Sequence, residues 1–238
     1  MVSAEFGSLA VILLAALVRS TFGFGDAVLA LPLVALLLGL TTATPLVALV
    51  SFTLAVGILF SSWRALDVRA ALPLLLAAVA GIPLGVLVLR QLEGVWLLRA
   101  LGVFLIGFGL YRLRQPRLPM VTHMAWALGL GLFGGVLGGA YGANGPPAVL
   151  YGTLRRWPPK TFMATMQGYF LITLPFVLIA HAAGGLWTKE VWRLFAWALP
   201  LIVLAIFLGR VLNRRIPTAR FERFLDVALI VLGIVLII

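Results

Sequence analysis

Gly134-Gly135-Val136-Leu137-Gly138-Gly139-Ala140-Tyr141-Gly142-Ala143-Asn144-Gly145-Pro146-Pro147 is the stretch on which the fold turns. Together with Gly131 it carries two glycine ladders of four-residue step, Gly131/Gly135/Gly139 and Gly134/Gly138/Gly142. Small residues at that spacing let helices in a membrane approach until their backbones touch. The end of the stretch cannot continue a regular helix. Gly145 is permissive, and Pro146 and Pro147 lack an N–H, although proline suits the first turn of a new helix. The pattern therefore predicts a helix that breaks near Asn144 and restarts at Pro146. Unwound backbone at membrane depth is tolerated only where protein buries it or it lines a wet cavity. A restarted helix also presents free N–H groups and a partial positive charge, which suits an anion.

Outward from this stretch the chain is apolar almost throughout. Of its 238 residues 63% are hydrophobic and 11% charged, where a soluble domain carries about 25% charged residues, and its mean hydropathy is +1.16. A membrane span needs roughly 20 mostly apolar residues. Apolar segments are read at 8–21, 26–40, 43–62, 70–90 and 95–112, then at 122–138, 146–155, 161–184, 189–209 and 219–238. Segments 8–21 and 146–155 are too short to span alone, which points to interrupted helices. The fold class expected is an all-α integral membrane protein.

Two halves repeat the same signals. Leu84-Gly85, Arg90, Arg99 and Gly109 match Leu208-Gly209, Arg214, Arg223 and Gly233 at a constant offset of 124 positions. Phe22-Gly23-Phe24-Gly25 matches Tyr141-Gly142-Ala143-Asn144 at an offset of 119. The expected organisation is a first repeat at 1–113, a cytoplasmic linker at 114–122 and a second repeat at 123–238. Each half holds an odd number of passes, so the second should be inverted relative to the first, each with a broken-helix hairpin. That arrangement is usual among secondary transporters. Gly23-Phe24-Gly25-Asp26 opens the run ending at Leu40, with Asp26 placed to cap the restarted helix. The two breaks, brought together by a pseudo-two-fold axis, would form one site near the midplane.

The net charge of +11 does not mark a nucleic-acid binder, because the eighteen Lys and Arg sit in short connections between apolar runs. Thirteen fall on one side: Arg64, Arg69, Arg112, Arg114, Arg117, Arg155, Arg156, Lys160, Arg210, Arg214, Arg215, Arg220 and Arg223. Arg90, Arg99, Lys189 and Arg193 fall on the other. The excess places the first set in the cytoplasm and both termini outside it. Glu5 before the first apolar run, with Arg19 after it, reads as a retained first helix. The absence of cysteine excludes disulfides and thiol catalysis. Two distant histidines, without a nucleophile elbow or metal motif, give little support to an enzyme. No cofactor is expected.

Among polar residues inside the spans, Asn144 lies in the break itself and can both donate and accept. Asp26 reads as a cap, a proton-coupling acid or a partner for Arg19. Arg19 faces the cavity or snorkels to the interface. Gln167 lines the cavity or bonds between helices. Tyr141 and Tyr169 offer hydroxyls. His123 and His181 fall near span ends and read as interfacial, Asp226 as a local partner of Arg223, and Trp63, Trp96, Trp157 and Trp187 as an aromatic belt. The candidate substrate-binding set is Arg19, Gly23, Phe24, Gly25, Asp26, Tyr141, Gly142, Ala143, Asn144, Gly145, Pro146 and Gln167.

Gly23-Phe24-Gly25 with Leu31-Pro32, and the glycine-rich stretch through Pro147, resemble the TauE/SafE family of sulfite exporters and toluene-sulfonate uptake permeases over nearly the whole chain. The resemblance implies a transporter of the bacterial-type inner membrane, moving a small anion such as an organosulfonate, sulfoacetate or sulfite. The alternatives are a passive anion channel using the same hairpins and a transporter of a carboxylate or another small solute. A coupling proton or sodium ion and a monomeric or homodimeric state complete the expectation.

Overall fold

The computed structural model describes residues 2–59, 68–114, 120–121, 123–213 and 218–238. They form helices α1 (Val2–Phe22), α2 (Asp26–Leu38), α3 (Leu40–Leu59), α4 (Val68–Gln91), α5 (Gly94–Arg114), α6 (Met124–Tyr141), α7 (Gly145–Leu154), α8 (Pro159–Ala183), α9 (Lys189–Asn213) and α10 (Thr218–Ile237), with no strand among the described residues. Seven described helices are long and apolar enough to cross a bilayer. At 1.5 Å per residue, α2 with 13 residues and α7 with 10 fall short of the roughly 30 Å hydrocarbon core. Trp63, Arg64, Arg117, Arg214, Arg215 and most of the linker, 115–119 and 122, lie outside the described residues.

The first helix corrects the expected segment 8–21. It begins at Val2 and is 21 residues long, because the polar groups of its first turns are satisfied. Ser8 Oγ donates to the Glu5 carbonyl at 2.7 Å, and the Glu5 carboxylate accepts from Arg193 Nη2 at 2.5 Å. The short helix of the first half is therefore α2, which Gly39, at φ 79°, separates from α3.

Glycine decides the closest packing. The ladder Gly131/Gly135/Gly139 of α6 lies against the backbone of α4, where an added Cβ would collide with the carbonyls of Leu74, Ala78 and Ile82. The contacts advance together along both chains, so α4 and α6 run parallel. Gly209 of α9 meets the backbone of Ser20 on α1, and Arg193 meets Glu5 further back, so this pair is parallel too. On α5 and α10, Gly102 faces Gly233 and Gly109 faces the Asp226 carbonyl, an antiparallel crossing. The second α6 ladder turns inward: Gly134 and Gly138 face Asn144, and Gly142 faces Thr44 of α3.

The periphery is apolar. Leu76, Val103, Ile179 and Phe207 are each more than 60% exposed, a surface suited to lipid rather than water. Trp96 is 59% exposed, in keeping with an interfacial belt. His123 accepts from the Ala125 N–H at 3.2 Å, at the start of α6. His181 departs from expectation: it is fully buried and its Nε2 lies 2.9 Å from the Gly139 carbonyl. The α6 ladder leaves room for an imidazole there, which holds α8 against α6.

Candidate functional site

Both helix breaks rest on left-handed glycines. Gly23 and Gly25 have φ of 87° and 99°, and Gly142 has φ of 66°, values at which a Cβ is strained. After Gly142 the chain turns through Ala143 and Asn144, and α7 begins at Gly145 with proline in its first turn. Asn144 makes no side-chain cap. Its Nδ2 instead donates to Thr173 Oγ1 of α8 at 2.6 Å, and Thr173 Oγ1 donates to the Tyr169 carbonyl at 2.7 Å. The amide is thereby held in a fixed orientation across the break.

At the other break Asp26, read as a cap, a proton-coupling acid or a partner for Arg19, is the partner of Arg19 and not the cap. Gly25 is the N-cap, without a side-chain bond, and Asp26 is the first residue of α2. Its carboxylate faces inward, where Arg19 Nη1 donates to both oxygens at 3.0 Å. Ser51 Oγ of α3 donates to Oδ2 at 2.5 Å. Arg19 is 1% exposed and Asp26 4%, so neither charge reaches bulk water. Gln167 of α8 ties Arg19 to the break, accepting from Arg19 Nη2 at 3.4 Å and donating to the Gly23 carbonyl at 2.7 Å. Phe170 covers the guanidinium at 4.6 Å from its centroid. Arg19 Nε has no hydrogen-bond partner among the described residues.

These groups border one cavity. Arg19, Phe24, Gly25 and Asp26 come from the first break, and Gly142, Asn144, Gly145 and Pro146 from the second. Gly23 and Gln167 do not line the cavity; each bonds Arg19, the Gly23 N–H to its carbonyl at 2.6 Å and Gln167 Oε1 to its Nη2. Ala143 is buried in the turn, and Tyr141 points elsewhere, donating to the Leu97 carbonyl at 2.9 Å; neither lines the cavity. About 30 Å³ is open to the centre of a water molecule, against the roughly 10–15 Å³ that one water needs. That space suits a few waters or one small ion.

A second ion pair, not foreseen as such, shares the cavity. Arg112 Nε lies 2.5 Å from Asp226 Oδ1, and the Arg112 guanidinium sits 5.2 Å from the Phe24 centroid. Asp226 thus pairs across α5 and α10 rather than locally with Arg223, because Gly109 brings the two backbones together there. Ser51, Thr173, Phe108 and Phe170 were also absent from the sequence-based set. An acid at 226 inside an apolar run was the one legible signal; its partner lies 114 positions away. The cavity wall thus holds two arginines and two aspartates, balanced in charge, among phenylalanine and aliphatic side chains.

This arrangement can hold an anion by charge-assisted donors without a covalent step. No curated protein and no solved structure matches the chain. A family model described as "Sulfite exporter TauE/SafE" matches residues 8–236, which takes in both breaks, the cavity and eight of the ten described helices in full. A multi-pass membrane chain with the anion-transport character of that family follows from this match and from the seven spans. The chain belongs to the TauE/SafE sulfite exporter family.

Proposed function

We propose that the protein is a secondary transporter which carries a small anion, an organosulfonate, sulfoacetate or sulfite, through the cavity between the two helix breaks. One observation carries the reading: both breaks border one cavity with a buried guanidinium whose Nε has no partner among the described residues. A buried arginine is costly to maintain and is retained where it meets a ligand or a charge in transit. The walls of phenylalanine and aliphatic carbon favour an anion with a compact apolar body.

The packing supports two inverted repeats, 1–113 and 123–238, joined by a linker at 114–122. Gly85 meets Gly139 as Gly209 meets Ser20, and each contact is the other displaced by the two sequence offsets. The pairing of α4 with α6 corresponds to that of α9 with α1, and α5 crosses its counterpart α10 antiparallel, as a two-fold axis in the membrane plane requires. Arg114, Arg155, Arg156 and Arg223 lie at the connections assigned to the cytoplasm of a bacterial-type inner membrane. Glu5 and Arg193 meet at the opposite end, where both termini belong.

Thermal stability of the detergent-purified protein, measured against sulfite, sulfate, sulfoacetate, taurine, acetate and chloride, tests the reading. Stabilisation by sulfonates or sulfite is expected, and Asn144→Ala should remove it. Saturable counterflow in proteoliposomes separates a carrier from a channel. Stabilisation by acetate alone would move the substrate class to carboxylates, and no response to any anion would sink the assignment.

A further inference from the structure

We propose that the anion crosses together with one proton, taken up on the carboxylate of Asp26; this rests on the anion-transport reading above. The cavity starts neutral, with Arg19 and Arg112 balanced by Asp26 and Asp226. A monoanion added to it leaves one uncompensated negative charge in surroundings where charges cannot be solvated, a cost of several kcal/mol in a low dielectric. A co-transported cation removes that cost.

The local geometry selects Asp26 to receive it. Both Asp26 oxygens sit on the same Arg19 nitrogen, Nη1, while Nε is without a partner among the described residues. An anion in the cavity shares the Arg19 guanidinium with the carboxylate, and the two like charges oppose each other until one is neutralised. Ser51 completes the arrangement. Its hydroxyl donates to Asp26 Oδ2, and a hydroxyl can turn to accept from a protonated carboxyl, so neither state leaves a group unpaired. Around Asp26 the neighbouring helices present Arg112 from α5, Asp226 from α10 and Asn144 from α7, with Gln167 of α8 on Arg19; among the described residues lining the cavity the two pairs are the charges. A sodium ion is disfavoured, since it would need a shell of oxygens beside a guanidinium 3.0 Å from the same carboxylate. A proton needs no shell. It arrives from water on one side and leaves to water on the other, with the anion.

Methanesulfonate is the appropriate probe because it is a strong-acid monoanion, so any proton accompanying it is carried by the protein. Full-length protein in proteoliposomes with a pH dye in the lumen should acidify that lumen as methanesulfonate enters, near one proton per anion. The rate should be indifferent to a potential set by potassium and valinomycin. Uptake without acidification, or uptake driven by the potential, overturns the proposal while leaving anion transport standing. Absence of both methanesulfonate uptake and anion-dependent stabilisation overturns the transport reading, and this one with it. In a thermal-stability titration, wild-type affinity for methanesulfonate should fall by up to about tenfold per pH unit as pH rises, the slope of one linked proton. Asp26→Asn should be flat over the same range. A variant that keeps the wild-type slope overturns Asp26 as the proton site, and should the variant fail to fold, the wild-type stoichiometry still decides.

Discussion

Arg19 and Asp26 form a pair whose side chains are 1% and 5% exposed, and at that depth a charge without its partner is the costly state. Removing one member of a buried pair destabilises by about 3–5 kcal/mol, whereas replacing both by apolar side chains of similar volume is often neutral or stabilising. Asp26→Ala should therefore lower stability by about 3–5 kcal/mol, because among the described residues the Arg19 guanidinium keeps only the long hydrogen bond to Gln167 and the Phe170 ring. The double substitution of Arg19→Met with Asp26→Leu should recover most of that loss, yet show no stabilisation by any anion. Chemical denaturation in detergent, with and without sulfite, measures both quantities. A double variant as unstable as the single one would mean that the pair holds the helices together rather than serving a substrate. Of the roles open to Asp26 in the sequence, the pairing with Arg19 is the one formed, while the cap follows from the general preference for aspartate at helix starts. What overrode it was a left-handed Gly25 that took the N-cap position, and a guanidinium seven residues back that competed for the carboxylate.

On helix α6 the two glycine ladders divide the work, and this was legible because a four-residue step puts all members of a ladder on one face. One face admits the backbone of α4, and the other admits Asn144 and the restarted chain. A methyl group at Gly135 meets the Ala78 carbonyl, backbone that cannot turn aside. Gly135→Ala should cost about 1–3 kcal/mol through forced separation of α4 and α6. Gly129, on the same helix, has nothing within 4 Å of an added Cβ. Gly129→Ala should range from neutral to about 1 kcal/mol stabilising, from helix propensity alone. Equal losses in thermal unfolding for the two variants would mean that backbone contact is not what fixes α6. The break at Asn144 was likewise legible, since proline and glycine act locally. The start of α1 was not, because Glu5 is accommodated by Arg193, 188 positions away. The Arg112–Asp226 pair escaped for the same reason: hydropathy assigns a cation at a span end to the loop, and only the crossing of α5 with α10 brings the acid beside it.

At the scale of the whole molecule, the direction of the chain through the bilayer remains a consequence of charge counting and of the proposed inversion, and the two can be tested together. The sequence contains no cysteine, so a single introduced thiol reports without background. Ile238 is 98% exposed at the end of α10, and Arg114 is exposed at the end of α5. These helices cross antiparallel, so their C-terminal ends lie on opposite faces whichever way the protein is inserted. On the proposed orientation positive charge chooses between the two insertions, with the Arg114 end cytoplasmic. Ile238→Cys should react with a membrane-impermeant maleimide in intact spheroplasts, and Arg114→Cys only after permeabilisation. The reverse pattern would keep the inverted repeats and overturn the orientation. Labelling of both positions from one side would contradict the antiparallel crossing, and with it the proposed two-fold relation between the halves.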